Sequence, residues 1–154
     1  MDVQSADPGY KLGNCGGKGE GVFATQDFKR NDVVMVGKAL RQLDTNTPWA
    51  TQVDIDKFIL RDGLASKVNH SCSPNVGYRV AEHGGVDYVA FHDIKVGEEI
   101  VTDYAMGNYI IQYMPECKCM SKECRGQISG WRDLPKVSKE NYRGYCSDYL
   151  WKMP

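Results

Sequence analysis

Short stretches of apolar residues, separated by turn residues, make up most of the chain. They are rich in valine, isoleucine, tyrosine and phenylalanine, and turn signals such as KRND, HGG and KVGE lie between them. One further segment, KFILRDGLAS (57–66), is predicted to hold a short helix, although Gly63 interrupts it. The pattern predicts a mostly β fold of several small antiparallel sheets. Its predicted strands are VFATQDF (22–28), VVMVG (33–37), ATQVDI (50–55), VGYRVA (76–81), VDYVAFHDI (86–94) and EEIVTDY (98–104).

The character of the sequence changes near Pro115. Beyond this point the chain is first rich in cysteine and then rich in tyrosine and tryptophan, with few apolar periodicities. We expect this part to be an appendage that something other than the core holds in place. For the aromatic tail (141–154), packing as a satellite core is the first expectation, ahead of covering a cleft or forming a dimer contact.

Composition narrows the class of protein. A chain of 154 residues with 42% hydrophobic and 25% charged residues is typical of one soluble globular domain. The formal net charge of −1 argues against strong nucleic-acid binding. No apolar run approaches membrane-spanning length, so we expect no membrane association. The first residues, MDVQSADPGYK, lack the apolar stretch of a secretory signal, and an intracellular location, cytoplasmic or nuclear, is expected.

Cysteine spacing indicates a metal site. Three of the six cysteines fall within eight residues, at Cys117, Cys119 and Cys124. Thiolates at such short spacing can surround one tetrahedral zinc ion, and a structural zinc site normally has four ligands. Cys72, in the turn KVNHSCSPNV (67–76), is our candidate for the fourth ligand, with Cys15 and Cys146 as alternatives. Zinc would then hold the C-terminal segment against that turn.

A glycine-rich stretch, GGKGEGVFA (16–24), leads into a predicted strand. A dinucleotide-binding fingerprint needs a helix after its glycines, so that interpretation is rejected. Two interpretations remain, a flexible hairpin turn and a backbone that a ligand can approach closely because it carries few side chains.

Four blocks taken in order resemble the SET-domain lysine methyltransferase family with a post-SET zinc-binding motif. They are GKGEGVFATQDFKRND, KVNHSCSPNV, FHDIKVGEEIVTDY and CKCMSKECRGQI, and together they span about residues 16–128. The resemblance implies a SET-domain fold with a C-terminal pseudoknot, in which the chain threads under a loop beside the NHSC turn. It also implies S-adenosylmethionine and zinc as cofactors, and the ε-amine of a lysine, commonly on a protein or peptide, as methyl acceptor.

The resemblance also implies roles for individual residues. Tyr104 and Thr102 are expected to be catalytic. The remaining expected site residues bind the cofactor (Lys18, Gly19, Glu20, Asn69 and His70) or zinc (Cys72, Cys117, Cys119 and Cys124). A minimal single-domain member of the family is expected, with an N-terminal arm (1–15), a SET domain (16–110), a post-SET zinc motif (113–130) and a C-terminal tail (131–154).

Three departures from the family pattern concern the substrate. No cysteine-rich region precedes residue 16, and the insert before the NHSC turn is short. Thr102 stands where histone-directed members commonly carry Phe or Tyr, and the loss of a ring is expected to widen the amine channel. Two alternatives to protein-lysine methylation therefore stay open: methyl transfer to a small molecule, and a non-catalytic module that binds peptide.

Overall fold

The computed structural model describes residues 6–111 and 116–154, with only the backbone of Lys18. The predictions for residues 1–5 of the N-terminal arm and for residues 113–115 of the zinc motif lie outside the described residues. The strands are β1 (Tyr10–Asn14), β2 (Glu20–Ala24), β3 (Val33–Gly37), β4 (Ala39–Leu43), β5 (Thr51–Asp54), β6 (Lys57–Arg61), β7 (Asn69–His70), β8 (Val76–Val80), β9 (Val86–Ala90) and β10 (Glu99–Thr102). The helix α1 (Lys136–Asn141) is accompanied by 3₁₀ turns at Gly16–Lys18, Gly63–Lys67, Tyr104–Met106, Trp131–Asp133 and Asp148–Lys152.

The strands form two curled sheets. The larger has the order β1-β2-β10-β8-β9-β3, with β7 also paired to β10, and the smaller has the order β4-β6-β5. Pairing is antiparallel except where β10 meets β7 and β8. The predicted mostly β fold of small sheets is confirmed, and β1 adds the N-terminal segment to the larger sheet.

The predicted helix at 57–66 is wrong for the first half of the segment. Its first half is β6, the central strand of the smaller sheet, which pairs with both β4 and β5. Its second half is the 3₁₀ turn at Gly63–Lys67, which begins at a glycine with a φ of 58°. Tertiary pairing on both edges of KFILR outweighs the helical tendency of the segment, since strand preference depends on neighbouring strands.

Strand β10 is enclosed by the NHSC turn. Thr102 pairs with His70 of β7 and also with Val76 of β8. Residues 71–75 must therefore cross the end of β10, and the amides of Ser71 and Asn75 donate to carbonyls of this strand. The chain beyond Thr102 consequently continues beneath the 71–75 loop, which is the threading expected of the pseudoknot.

The C-terminal tail belongs to the main core, which corrects the expectation of an appendage for residues 131–154. Its fully buried Leu150 (0% exposed) packs in the same cluster as strand residues such as Val22, Tyr78 and Ile100. Other tail members of that cluster are Trp131, Leu134, Tyr142, Cys146 and Tyr149. The buried residues of the tail are not spaced at a helical period, because most of them lie in turns rather than in a long helix.

Within residues 6–111 and 116–154, none of the helices is long and apolar enough to cross a membrane.

Candidate active site and zinc centre

Four cysteines from two distant parts of the chain converge beside the NHSC turn. The sulfur atoms of Cys72, Cys117, Cys119 and Cys124 all lie within 4.8 Å of one another. The sulfurs of Cys72 and Cys117 are 3.7 Å apart. Tetrahedral zinc with Zn–S bonds of ~2.3 Å needs sulfurs about 3.8 Å apart, so this cluster fits the ion. Cys15 and Cys146, the alternative ligands, do not belong to the cluster.

The environment of Cys119 favours a thiolate. Burial by itself would raise the pKa of this thiol, but hydrogen bonds from the backbone of Cys72 and Ser121, and from neighbouring thiols, lower the pKa to about 6. Burial instead raises the pKa of Cys72 and of Cys117. Zinc would reverse these two shifts, since a coordinated thiol is deprotonated.

His70 lies between the cysteine cluster and Tyr104. Its Nδ1 accepts a hydrogen bond of 3.1 Å from the backbone N–H of Tyr104, so a neutral ring carries its hydrogen on Nε2. Nε2 lies 3.5 Å from the sulfur of Cys72, and the two rings of His70 and Tyr104 meet edge to face at 5.2 Å. The imidazole therefore links the metal-side thiol to the backbone of the expected catalytic residue.

Asn69 ties the turn to the glycine-rich hairpin. Its side-chain amide donates to the carbonyl of Glu20 at 2.8 Å and to the carboxylate of Glu99 at 2.9 Å. Gly19 has a φ of 77°, a backbone conformation that favours glycine. The hairpin forms a surface groove, which is lined by Leu12, Gly13, Asn14, Gly16, Gly19 and Glu20. Asn69 thus places this groove beside the turn.

Gly21 was not singled out by sequence reasoning, yet the packing requires it. A Cβ at this position would lie 2.2 Å from the sulfur of Cys15, 2.6 Å from Oε1 of Glu99 and 3.0 Å from the amide of Asn69. The sulfur of Cys15 also donates to Glu99 at 3.1 Å. The alternation of glycines in GKGEG was the available signal, but two of the partners, Glu99 and Asn69, lie on strands that are distant in sequence.

Two cavities meet at Tyr104. The His70 cavity, of about 220 Å³, is walled by the turn and by the cysteine-rich segment, with the lining residues Asn69, His70, Tyr104, Glu116, Cys117, Lys118, Cys119 and Ile128. The Trp49 cavity has only about 20 Å³ of free space, and its lining includes Trp49, Arg61, Val68, Tyr78 and Tyr104. Among the described residues, Tyr104 is the one that lines both. Its hydroxyl donates to the carbonyl of Val68 at 3.0 Å.

Thr102 is placed differently from the sequence expectation. It is fully buried (0% exposed), and its hydroxyl faces the sulfur of Met106 at 3.8 Å. It lines neither the His70 cavity nor the Trp49 cavity. A catalytic role for Thr102 stays a prediction, and the expected widening of a channel by this residue finds no support in its burial.

An ion pair between the buried Asp103 and the partly buried Arg125 joins the strand end to the cysteine-rich segment, and sequence reasoning missed it. The guanidinium of Arg125 donates to both carboxylate oxygens of Asp103, at 2.7 and 3.0 Å. Asp103 is fully buried and also accepts from the hydroxyl of Tyr142 at 2.9 Å. The backbone N–H of Arg125 points to the sulfur of Cys72 at 3.4 Å. The carboxylate of Asp103 therefore connects the end of β10 to the cysteine cluster and to the tail.

Comparison with known proteins assigns the family. The family model of the SET domain matches residues 19–105. This range includes residues 19–24 of the glycine-rich stretch, the NHSC turn and Tyr104, and it exceeds half of the chain. The chain therefore belongs to the SET-domain family. No curated protein matches it.

Solved structures agree on the fold. A crystal structure of KRYPTONITE with mCHH DNA, an H3(1–15) peptide and SAH matches with a TM-score of 0.64 and 20% identity, over 77% of this chain and 29% of that chain. A second, of KRYPTONITE with mCHG DNA and SAH, matches with a TM-score of 0.64 and 19% identity, over 77% and 28%. The present chain thus spans less than a third of those chains.

The expectation of no strong nucleic-acid binding is not borne out by these comparisons. KRYPTONITE was crystallised with DNA in both complexes. The net charge of −1 was the whole basis of that expectation, and net charge does not describe local surface patches.

Proposed function

We propose that this protein is an S-adenosylmethionine-dependent methyltransferase that acts on the ε-amine of lysine in a protein or peptide. The observation that carries the proposal is the pair of cavities that share Tyr104. One cavity would hold the cofactor and the other the acceptor amine, so that methyl donor and acceptor would meet beside one phenol. The family match supports the proposal, as do the SAH and H3 peptide bound to KRYPTONITE.

The cofactor would bind along the glycine groove and in the His70 cavity. The backbone of Lys18, Gly19 and Glu20 would line one side, and Asn69 and His70 would hold the base of the cleft. The cysteine-rich segment would close the other side, because Cys117, Lys118 and Cys119 already wall that cavity. Zinc on the four cysteines would fix this wall. When bound, S-adenosylmethionine supplies a methyl group activated by its sulfonium charge.

The protein's own task is then chiefly positioning. An amine that enters the narrow Trp49 cavity would be aligned by the Tyr104 hydroxyl and shielded from water. A free lysine has a pKa of about 10.4 and is mostly protonated at neutral pH, so the site must also favour the neutral amine. Desolvation in a narrow cavity acts in that direction.

Transfer of a radioactive methyl group from S-adenosylmethionine tests the proposal. Purified protein is incubated with an H3(1–15) peptide, with a heat-treated protein extract and with a low-mass metabolite fraction. Label in protein or peptide, absent when the lysines are replaced by arginine, is the expected result. Label only in the metabolite fraction would establish a small-molecule acceptor, and cofactor or peptide binding without any label would establish a non-catalytic module.

A further inference from the structure

A buried arginine lines the Trp49 cavity. Arg61, at the end of β6, is 8% exposed and shares the cavity lining with Tyr104. Its guanidinium donates to the hydroxyl of Tyr88 and lies over that ring, 5.2 Å from the centroid. Its Nε is buried and has no hydrogen-bond partner. In the part of the chain that the structure describes, no carboxylate forms an ion pair with Arg61.

The titratable groups that face this guanidinium are phenols. Tyr88 of β9, Tyr78 of β8 and Tyr104 all interact with it. Burial raises the pKa of Tyr78 well above its usual value, so its phenol stays neutral. Neutral hydroxyls satisfy donors but leave the positive charge uncompensated.

Two charged side chains on the neighbouring segments, Asp62 and Lys67, have partners outside the Trp49 cavity. The carboxylate of Asp62 accepts from the backbone N–H of Lys38 at 2.8 Å. Lys67, at the end of the adjacent 3₁₀ turn, lies 3.7 Å from the carboxylate of Glu20. Among the described residues that line the Trp49 cavity, Arg61 is the one with a charged side chain.

We propose that Arg61 is a fixed positive charge that favours the neutral, nucleophilic form of the amine in the Trp49 cavity. The inference rests on the proposed function, because it takes this cavity as the acceptor site. A positive charge nearby disfavours an ammonium ion, and low-dielectric surroundings strengthen that effect. The amine would give its proton to bulk water on entry. Its lone pair would then form the N–C bond as the C–S bond of the donor breaks and sulfur keeps the bonding electrons.

A salt bridge between Arg61 and an acidic group of the acceptor is the competing explanation. The free space of about 20 Å³ speaks against it. A volume of roughly 10–15 Å³ on this measure already holds one water molecule, so the cavity has room for an amine but not for a carboxylate as well.

The test is the titration of a bound amine rather than turnover. The probe is n-butylamine labelled with ¹³C next to nitrogen, followed by NMR in the presence of S-adenosylhomocysteine, which lacks the sulfonium charge. We expect the bound amine to titrate about one pH unit or more below the free amine. A bound amine that titrates at or above the free value, or no binding of butylamine at all, would overturn the inference.

Matched variants assign the effect to Arg61. Arg61→Met removes the charge with little loss of volume, and the shift should shrink by about one pH unit, whereas Arg61→Lys should keep most of it. Equal shifts in both variants would overturn the inference. Thermal melting checks folding, and if Arg61→Met does not fold, Arg61→Gln replaces it as the variant that removes the charge.

Two outcomes separate this inference from the proposed function. A lowered amine pKa without methyl transfer to any acceptor would remove the proposed function and leave the charge effect standing. Methyl transfer with an unshifted amine would remove only the inference. If 5-aminopentanoate binds tenfold or more tightly than butylamine, and Arg61→Met abolishes that preference, Arg61 pairs with an acidic acceptor and the inference fails.

Discussion

At the residue scale, Tyr104 is distinguished by its position between two cavities. Its backbone N–H is held by His70 and its hydroxyl by the carbonyl of Val68. Both ends of the residue are therefore fixed before any ligand binds. Preorganisation of this kind is what a positioning role requires, because a donor that is already oriented loses little freedom in the reaction.

Tyr104→Phe separates binding from transfer. We expect near-normal affinity for S-adenosylmethionine by calorimetry and a fall in turnover of ~10²-fold, as for loss of a positioned catalytic hydroxyl. Tyr149→Phe is the matched control, because the Tyr149 hydroxyl also donates to a backbone carbonyl, that of Gly107 at 2.6 Å, but lines neither cavity. Equal losses of turnover in the two variants would contradict a specific role for Tyr104.

At the scale of elements, the segment 116–128 is held by the cysteine cluster and by Arg125. Cysteines that converge without a regular strand or helix indicate that metal coordination, rather than backbone pairing, orders such a segment. The same segment walls the His70 cavity. Metal content and cofactor affinity should therefore change together.

Zinc analysis of cysteine variants tests the cluster. We expect about one zinc ion per chain in the wild type and clear loss of zinc in Cys117→Ser and in Cys72→Ser, with weaker cofactor binding in both. Cys15→Ser should keep its zinc, since the Cys15 sulfur contacts Glu99 and lies outside the cluster. Full retention of zinc in Cys72→Ser would refute the fourth ligand.

The Asp103–Arg125 ion pair also holds the segment 116–128 against the rest of the protein. In Arg125→Met the fully buried Asp103 loses its bidentate partner, and breaking a buried pair costs about 3–5 kcal/mol. We expect Tm to fall by roughly 10 °C in thermal melting of the zinc-loaded protein. Arg132→Met is the control, because the side chains of Arg132 and Asp133 are both 49% exposed. A similar Tm in the two variants would show that the buried pair contributes nothing.

At the scale of the whole molecule, the C-terminal tail completes the core of the SET domain. The backbone N–H of Ser147 donates to the carbonyl of Met106, and the backbone N–H of Tyr78 donates to the carbonyl of Tyr145. The tail is thus hydrogen-bonded both to the segment that carries Tyr104 and to a strand of the larger sheet. We therefore expect a change that destabilises the tail to disturb the position of Tyr104 as well.

Leu150→Ala measures that coupling. Removal of a fully buried leucine side chain should lower the free energy of unfolding by about 2–5 kcal/mol in a denaturant titration. Val137→Ala, at a position of α1 that is 67% exposed, should change it by less than about 0.5 kcal/mol. If the two substitutions had equal effects, the tail would not be part of the core in solution.

Local sequence was sufficient for several features. The strands β3, β8 and β9 were predicted because their apolar and β-branched residues lie between clear turn signals. The cysteine spacing at Cys117, Cys119 and Cys124 indicated a metal site, since short spacing brings thiols together whatever the fold. The ordered motifs indicated the family and, through it, the pseudoknot.

Only the tertiary structure decided the features that depend on distant partners. KFILR became a strand because β4 and β5 pair with it on both edges. Nothing near Arg61 or Asp103 in the sequence shows that both are buried, or that Asp103 pairs with Arg125. Burial and pairing arise from strands and turns that are far apart along the chain, so no local pattern encodes them.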